Sequence, residues 1–412
     1  MQQLIYTHIL PNGMTLLAER LPHVRSAAFS FMVRAGGAYD PVDKLGLSGL
    51  LTDLITRGAG ELDSRQFSDA LDNLGVDRSE STGGINLHFG GVTLATNLTP
   101  ALKLYADLLQ RPHFPEEELE AVQALAIQDI QNLEDEPQSK VMVELRKNYY
   151  PDPLGRDQRG TEAGIEVAKI EDVRQHYAKH FHPSNVILAV AGDINWDMLR
   201  KDVETLFGGW KEQTPTAYPI SPLTGLEAKY VHLQKDLDQT QIALIYPSVP
   251  LVHPDNYLAR AAVGVLSLDM SSRLFMEVRE KYGLCYSVYA SYEAFQDRGS
   301  ILAYAGSRPE KAQETFDRTL HELKRLPEGI EEEELQRVKV GLKASLIMRQ
   351  ESTGARVSSL TSDWYYLGRI RTLAEIQQAI DELNVSAILD HVKRFPPKGI
   401  TVVTLGPQPL KV

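Results

Sequence analysis

Residues 185–192 read Asn185-Val186-Ile187-Leu188-Ala189-Val190-Ala191-Gly192, a nearly continuous apolar run closed by a glycine. Such a run between turn residues is typical of a buried β-strand. Residues 170–180 have helical spacing, so a helix leads into this strand. The pattern returns at an offset of 214 residues, where Phe395, Pro397, Thr401 and Gly406 repeat Phe181, Pro183, Ile187 and Gly192.

A second match indicates a duplication. Glu116-Glu117-Glu118-Leu119 opens a long helical pattern, and Glu332-Glu333-Glu334-Leu335 opens another one 216 residues later. Because the two matches keep their order and nearly the same offset, we predict two copies of an α+β domain, each of about two hundred residues. The domains are placed at residues 1–210 and 229–412, with a linker at 211–228 that contains Pro215, Pro219 and Pro222.

Composition excludes several classes of protein. The 412 residues are 43% hydrophobic and carry a formal net charge of -12 without a basic block, so no nucleic-acid partner is expected. No apolar run approaches the ~20 residues of a membrane span, and no membrane partner is expected. The single cysteine, Cys285, rules out an internal disulfide and any multi-cysteine metal cluster.

The N-terminal residues predict the start of a sheet. Asn12-Gly13 lies between two apolar stretches, residues 4–9 and 14–18, and this dipeptide predicts a hairpin closed by a type I′ turn. Residues 27–35 continue as a strand, and residues 43–57 then take up helical spacing.

Three stretches carry a family resemblance. They are Pro11-Asn12-Gly13, Arg34-Ala35-Gly36-Gly37-Ala38-Tyr39-Asp40 and residues 271–290, which begin Ser271-Ser272-Arg273-Leu274-Phe275 and continue to Gly283-Leu284-Cys285-Tyr286-Ser287-Val288. Over nearly the whole chain, the sequence resembles the pitrilysin-type zinc metallopeptidases, in their mitochondrial-processing-peptidase-like branch. The resemblance implies duplicated domains, each a mostly antiparallel β-sheet packed with helices, that form one half of a clamshell.

The helix that carries the zinc motif in active members is altered here. Those members have His-x-x-Glu-His, in which two imidazoles bind zinc and the Glu activates water. The corresponding segment reads Gly46-Leu47-Ser48-Gly49-Leu50-Leu51-Thr52-Asp53. Set against the family pattern, Gly49 replaces the first His, Thr52 replaces the Glu and Asp53 replaces the second His.

A distal glutamate completes the zinc site in the family. The position that matches it is Asp129, and Val122 replaces the usual upstream Glu. A catalytic zinc needs about three protein ligands, whereas Asp53 and Asp129 supply at most two carboxylates. We therefore predict that this chain binds no zinc here, holds no cofactor of its own and does not hydrolyse peptides alone.

The second half retains another family feature, an Arg and a Tyr seven residues apart. The resemblance assigns this substrate-handling pair to Arg279 and Tyr286, whose donors can hydrogen-bond the substrate carbonyl and the charge that develops on it. The alternative is structural: Arg279 pairs with Glu277 or Glu280 on a solvated helix face, and Tyr286 is an ordinary strand aromatic.

A chain with the Arg and Tyr but without the zinc motif is similar to the noncatalytic subunit of the family's heterodimeric proteases. The resemblance implies a homologous partner that supplies zinc and the base, a peptide substrate and a closed chamber. A homodimer is an open alternative when the partner is absent, and so is an inactive scaffold role. We expect a cytoplasmic protein, or a periplasmic one if a signal peptide has been removed.

Two weaker signals have mainly structural interpretations. His176 and His180 have the helical spacing of a metal pair, but only Asp172 could add a ligand. Cys285 has no His or carboxylate spaced to activate it, so we interpret it as a half-buried apolar filler.

Overall fold

A computed structural model describes residues 3–218 and 227–412. Its strands are β1 Leu4–Ile9, β2 Thr15–Arg20, β3 Ser26–Val33, β4 Gly58–Ala59, β5 Leu62–Asp63, β6 Asp77–Thr82, β7 Leu87–Leu94, β8 Val186–Gly192, β9 Lys229–Gln234, β10 Thr240–Ser248, β11 Cys285–Ala294, β12 Gly299–Ser307 and β13 Thr401–Gly406. Part of the predicted linker, residues 219–226, lies outside the described residues.

The α-helices lie in the connections between these strands, several of them in succession. They are α1 Leu47–Leu54, α2 Ser64–Asn73, α3 Leu98–Gln110, α4 Leu119–Asn132, α5 Pro137–Tyr149, α6 Glu162–Val167, α7 Ile170–His180, α8 Trp196–Phe207, α9 Asn256–Ser267, α10 Ala312–Arg325, α11 Glu332–Gln350, α12 Thr353–Leu367, α13 Leu373–Asp381 and α14 Val385–Arg394. A π-helix spans Phe275–Lys281.

Each of two compact units is built around one sheet. The first sheet has the strand order β1-β2-β8-β3-β7-β6 and the second has the order β11-β12-β10-β13-β9. In each sheet one pair is parallel, β2 with β8 and β13 with β9, and the other neighbours are antiparallel. The predicted class, an α+β fold with two duplicated domains and mostly antiparallel sheets, is confirmed.

Each unit is made of three segments that are not consecutive in the sequence. The first contains residues 3–132, 152–218 and 349–365, and the second contains residues 133–151, 227–348 and 366–412. Helix α5 therefore belongs to the second unit, where it packs on β10 and β13, and most of α12 belongs to the first.

The core of the first unit is apolar and includes an aromatic group. Phe29 and Phe31 on β3 lie beside Tyr105 on α3, with ring centroids 4.8 and 6.0 Å from that of Tyr105. All three side chains are buried, and each such burial stabilises the fold by roughly 1.5–3 kcal/mol. Strand β8 is the strand predicted from the apolar run at residues 185–192. It is buried at every position and lies between β2 and β3 in the sheet.

The N-terminal hairpin forms, but its predicted two-residue turn is wrong. Ile9 pairs with Thr15, so the connection has five residues, and only Gly13 has a positive φ, of 87°. A type I′ turn needs positive φ at both central residues. Asn12 is used differently: its side-chain amide donates hydrogen bonds to the carbonyls of Phe207 and Trp210 at 2.8 and 3.1 Å.

Candidate functional site

Helix α1 carries the altered zinc motif, and Asp40 fixes its N-terminus. The Asp40 carboxylate accepts hydrogen bonds from the backbone N–H groups of Gly46 and Ser48 at 2.9 and 3.0 Å. Gly46 has φ of 106°, which favours glycine, so α1 begins at Leu47. Burial raises the pKa of Asp40 to about 6, although these hydrogen bonds oppose the increase.

The first two motif positions offer no metal ligand or base. A Cβ atom at Gly49 would meet nothing within 4 Å, so this face of α1 is open at that point. Thr52 is buried, and its hydroxyl donates to the Ser48 carbonyl at 2.8 Å and accepts from the Thr82 hydroxyl at 2.9 Å. A hydroxyl held in this way within the helix cannot activate water as a carboxylate does.

Carboxylates remain at the other two positions. Asp53 and Asp129 are both exposed, and they lie close enough to interact. Desolvation and the charge of Asp129 raise the pKa of Asp53, while Arg57 opposes this increase. Glu80 on β6 contributes a third carboxyl group near Asp53; desolvation raises its pKa as well.

These residues do not fit a catalytic zinc ion. In the described part of the chain, no group of three or more His, Cys, Asp or Glu side chains is arranged to hold a metal ion. Val122, at the upstream glutamate position, is fully buried in the core of the first unit. No imidazole is therefore available where the family places its zinc, and Glu80 does not form a metal-holding group of three with Asp53 and Asp129.

A tight turn in the second unit brings the predicted Arg and Tyr together. Arg279 lies on the π-helix, and Tyr286 lies at the start of β11. Gly283 between them has φ of 58°, its N–H donates to the Arg279 carbonyl at 3.0 Å, and the Leu284 N–H donates to the Val278 carbonyl at 3.1 Å. The chain thus reverses within a few residues, as at glycine-capped helix ends.

The Arg279 guanidinium lies between two aromatic rings. Its central carbon is 4.6 Å from the ring centroid of Phe275 and 5.2 Å from that of Tyr286. Each such cation–π contact contributes roughly 0.5–1 kcal/mol at an exposed site. Tyr286 is 79% exposed, so this contact leaves its hydroxyl accessible.

The structural alternative for Arg279 accounts for little of this geometry. Its Nε lies 3.7 Å from Glu280 in an exposed ion pair, which is a weak interaction. Glu277 instead accepts a hydrogen bond from Lys281 at 2.8 Å. Among the described residues, neither Arg279 nor the Tyr286 hydroxyl makes a hydrogen bond to another side chain, so both can donate to a ligand.

The two weaker signals, the His176–His180 pair and Cys285, have structural roles. His176 Nε2 lies 3.0 Å from the Ala35 carbonyl and His180 Nδ1 lies 3.1 Å from the Thr216 hydroxyl, and burial lowers the pKa of both imidazoles, to about 3 for His180. Cys285 is half-buried, as predicted, and burial raises its thiol pKa to about 11, with Arg279 opposing. A thiol with that pKa is a poor nucleophile.

Three residues that lie at the altered zinc motif or at the Arg279–Tyr286 turn were not predicted from the sequence. Phe275, four residues before Arg279, forms the second face of the stack, and helical spacing could have suggested it. Thr82 and Glu80 on β6 contact or approach the altered motif from about thirty residues away. Only the strongly polar sequence of β6 marks that strand as unusual.

Comparison with known proteins identifies the family. Residues 15–162 match the family model described as insulinase, peptidase family M16, and residues 168–342 match the model described as the peptidase M16 inactive domain. The chain belongs to the M16 peptidase family. This confirms the predicted pitrilysin-type membership.

Curated relatives match nearly the whole chain, and a solved structure shares its fold. The chain is 26% identical to a zinc protease of Rickettsia felis, over 98% of this chain and 97% of that protein, and 29% identical to the zinc protease YmxG of Bacillus subtilis, over 93% and 94%. Its fold matches that of a peptidase M16 inactive domain from Pseudomonas fluorescens with a TM-score of 0.92, 20% identity and 99% coverage of both chains. No helix among the described residues has the length and apolar character of a membrane span.

Proposed function

We propose that this M16 chain is the noncatalytic, substrate-engaging subunit of a heterodimeric zinc endopeptidase. A homologous partner supplies the zinc and the general base, and the two chains enclose a chamber in which peptides are cleaved. When the partner is absent, the surfaces that would bind it are free to form a homodimer.

The contrast between the two units carries this proposal. The first unit has Gly49, Thr52 and Asp53 where zinc chemistry needs imidazoles and a base. The second unit presents Arg279 and Tyr286 side by side, with free donors. A chain with a purely structural role has no need to hold a half-buried arginine near two aromatic rings with its donors free of side-chain hydrogen bonds.

The chemistry of these side chains defines their role. The Arg279 guanidinium offers planar N–H donors and the Tyr286 hydroxyl offers one O–H donor, so both can bind the carbonyl oxygen of a peptide. Negative charge grows on that oxygen in the tetrahedral intermediate, which strengthens both hydrogen bonds. Because stacking on Phe275 and Tyr286 orients the guanidinium before substrate arrives, less reorganisation is needed.

Substitutions in a reconstituted pair test the proposal. The chain is mixed with a homologue that contains His-x-x-Glu-His, and cleavage of a fluorogenic peptide is followed. Arg279→Ala and Tyr286→Phe should each lower kcat by roughly 10²–10³, the usual effect of removing one such donor. Size-exclusion chromatography with light scattering should show unchanged assembly.

The second unit provides a matched control. Arg318 also stacks on a tyrosine, with its central carbon 3.2 Å from the ring centroid of Tyr282, but it lies on α10 outside the proposed pair. Arg318→Ala should leave kcat unchanged. Full activity in both Arg279→Ala and Tyr286→Phe would overturn the proposal and favour an inactive scaffold role.

A further inference from the structure

Two buried hydroxyl groups lie directly behind the Arg279–Tyr286 turn. Ser307 ends β12 and Thr315 lies on α10, and their side chains are at most 1% exposed. The Thr315 hydroxyl is 2.8 Å from the Ser307 hydroxyl, which is 2.8 Å from the Leu284 carbonyl oxygen. Each hydroxyl has one proton, and the arrangement with the shortest distances runs from Thr315 through Ser307 to Leu284, with the Lys311 carbonyl, 2.9 Å from the Thr315 hydroxyl, as the competing acceptor.

This chain of hydrogen bonds fixes Leu284, the residue that links the two halves of the site. Leu284 follows the π-helix that carries Arg279 and precedes β11, which carries Tyr286. Its N–H donates to the Val278 carbonyl at 3.1 Å, and its carbonyl accepts from Ser307. A buried carbonyl without a partner costs about 1–3 kcal/mol, so the turn is strongly held in this orientation.

The orientation of the Leu284 carbonyl, held by Ser307, sets the direction of Tyr286. Cys285 pairs with Ser307 across the β11–β12 ladder, but the next pair is Ser287 with Gly306. Tyr286 is therefore the extra residue of a β-bulge. Bulges of this kind redirect a side chain away from the regular alternation of a strand.

We infer that Ser307 and Thr315 are positioning residues, whose hydroxyls hold the bulge that places Tyr286 against Arg279. The inference concerns geometry, and its effect on catalysis rests on the proposed function. Neither residue contacts a substrate, since both are buried beneath the turn.

Cys285 provides a probe that needs no partner and no activity. It is the only cysteine in the chain, lies within the bulge and pairs with Ser307. Its thiol pKa of about 11 reflects burial, so labelling with a thiol reagent at pH 8 should be slow in the unaltered protein. If the bulge loosens, the thiol becomes more exposed and its pKa falls towards the value of a free cysteine.

Variants of Thr315 separate the hydroxyl from the volume it fills. Thr315→Val removes the hydroxyl at nearly constant size and should raise the Cys285 labelling rate at least about tenfold, because each unit of pKa lost gives tenfold more thiolate. Thr315→Ser keeps the hydroxyl and should label at the original rate. Ser307→Ala removes the hydroxyl that donates to the Leu284 carbonyl itself and should raise the labelling rate at least as much.

Thr319 is the matched control. It lies one turn further along α10, is fully buried, and its hydroxyl has no hydrogen-bond partner among the described residues. Thr319→Val should leave the labelling rate unchanged. Circular dichroism and thermal unfolding are recorded for every variant, so that labelling is compared only between folded proteins.

Activity of the reconstituted pair completes the test. Thr315→Val should lower kcat with little change in KM, and Thr315→Ser should restore it. Labelling of Thr315→Val at the original rate would overturn the inference whatever the activity. Faster labelling, with full activity in both Thr315→Val and Tyr286→Phe, would support the positioning but overturn the proposed function.

Discussion

Single residues decide whether the first unit can hold a metal ion. Thr52 has become part of the local structure, since its hydroxyl joins α1 to β6 through Thr82. Gly49 and Asp53, by contrast, face open space or solvent. At Gly49 and Asp53 the helix therefore leaves room for larger side chains, whereas Thr52 is fixed by its contact with Thr82.

Restoring the ligands should restore zinc binding. In a variant with Gly49→His, Asp53→His and Asp129→Glu, the two imidazoles would lie four residues apart on one face of α1, near the longer carboxylate. Thr52 is left in place because a buried glutamate there would lose the contact with Thr82. Elemental analysis after dialysis against zinc should find about one ion per chain.

The matched control is the variant that carries only Asp53→His and Asp129→Glu. It should bind zinc much more weakly. The absence of bound zinc in the complete variant would contradict the assignment of α1 as the altered zinc helix. Bound zinc in the complete variant would show that these three side chains account for the lack of a zinc site in this chain.

At the scale of single residues, the sequence predicted pairs of residues within one motif. It missed contacts made by residues from distant parts of the chain. Arg279 and Tyr286 were predicted together because both lie in one contiguous stretch, residues 271–290, that resembles a family motif. Thr82 reaches Thr52 from a different strand, and no local pattern records that pairing. The same holds for Ser307 and Thr315, whose significance depends on the carbonyl of Leu284.

Among the elements, the junction between the π-helix and β11 joins the two residues of the proposed pair. A residue with a side chain at position 283 must adopt a φ near 58°, which costs a non-glycine residue roughly 1–2 kcal/mol. A Cβ atom there would meet nothing within 4 Å, so the cost comes from the backbone alone.

Substitution of Gly283 should therefore separate backbone strain from packing. Gly283→Val should lower the free energy of unfolding by about 1–2 kcal/mol, and Gly283→Asn by less, because asparagine tolerates this conformation. Urea denaturation measures both values. Gly329→Ala is the control, since Gly329 has φ of 167° and equal space, and it should cost little; equal losses in all three variants would contradict this account.

Element prediction succeeded where capping and periodicity agree. The helix at 170–180 has the predicted bounds, whereas the helix predicted at 43–57 begins only at Leu47. The difference arises because Asp40 accepts hydrogen bonds from the first turn and Gly46 has a positive φ. Such a cap from six residues upstream leaves no mark in hydrophobic spacing.

For the molecule as a whole, each compact unit includes a segment from the other half of the sequence. Within the first unit, Arg356 on α12 donates to Glu19 on β2 at 2.7 Å, and both side chains are at most 4% exposed. Within the second, α5 buries Val141 and Leu145. Periodicity predicts which face of a helix is buried, but not which sheet covers it, so this arrangement was beyond the sequence.

Division of the chain at the linker should leave both halves incomplete. Fragment 1–218 lacks Arg356, and removal of one partner from a buried ion pair costs about 3–5 kcal/mol. Fragment 227–412 lacks α5. Neither fragment should show cooperative thermal unfolding alone, and the two refolded together should; cooperative unfolding of 1–218 alone at the temperature of the intact chain would contradict this expectation.

The most direct test of the central claim is peptide cleavage by three samples, each with its zinc content measured. The samples are this chain alone, a homologue that contains His-x-x-Glu-His alone, and the two mixed. The account predicts that cleavage appears only in the mixture and that zinc follows the homologue. Cleavage by this chain alone with one tightly bound zinc, or a mixture no more active than the homologue by itself, would contradict it.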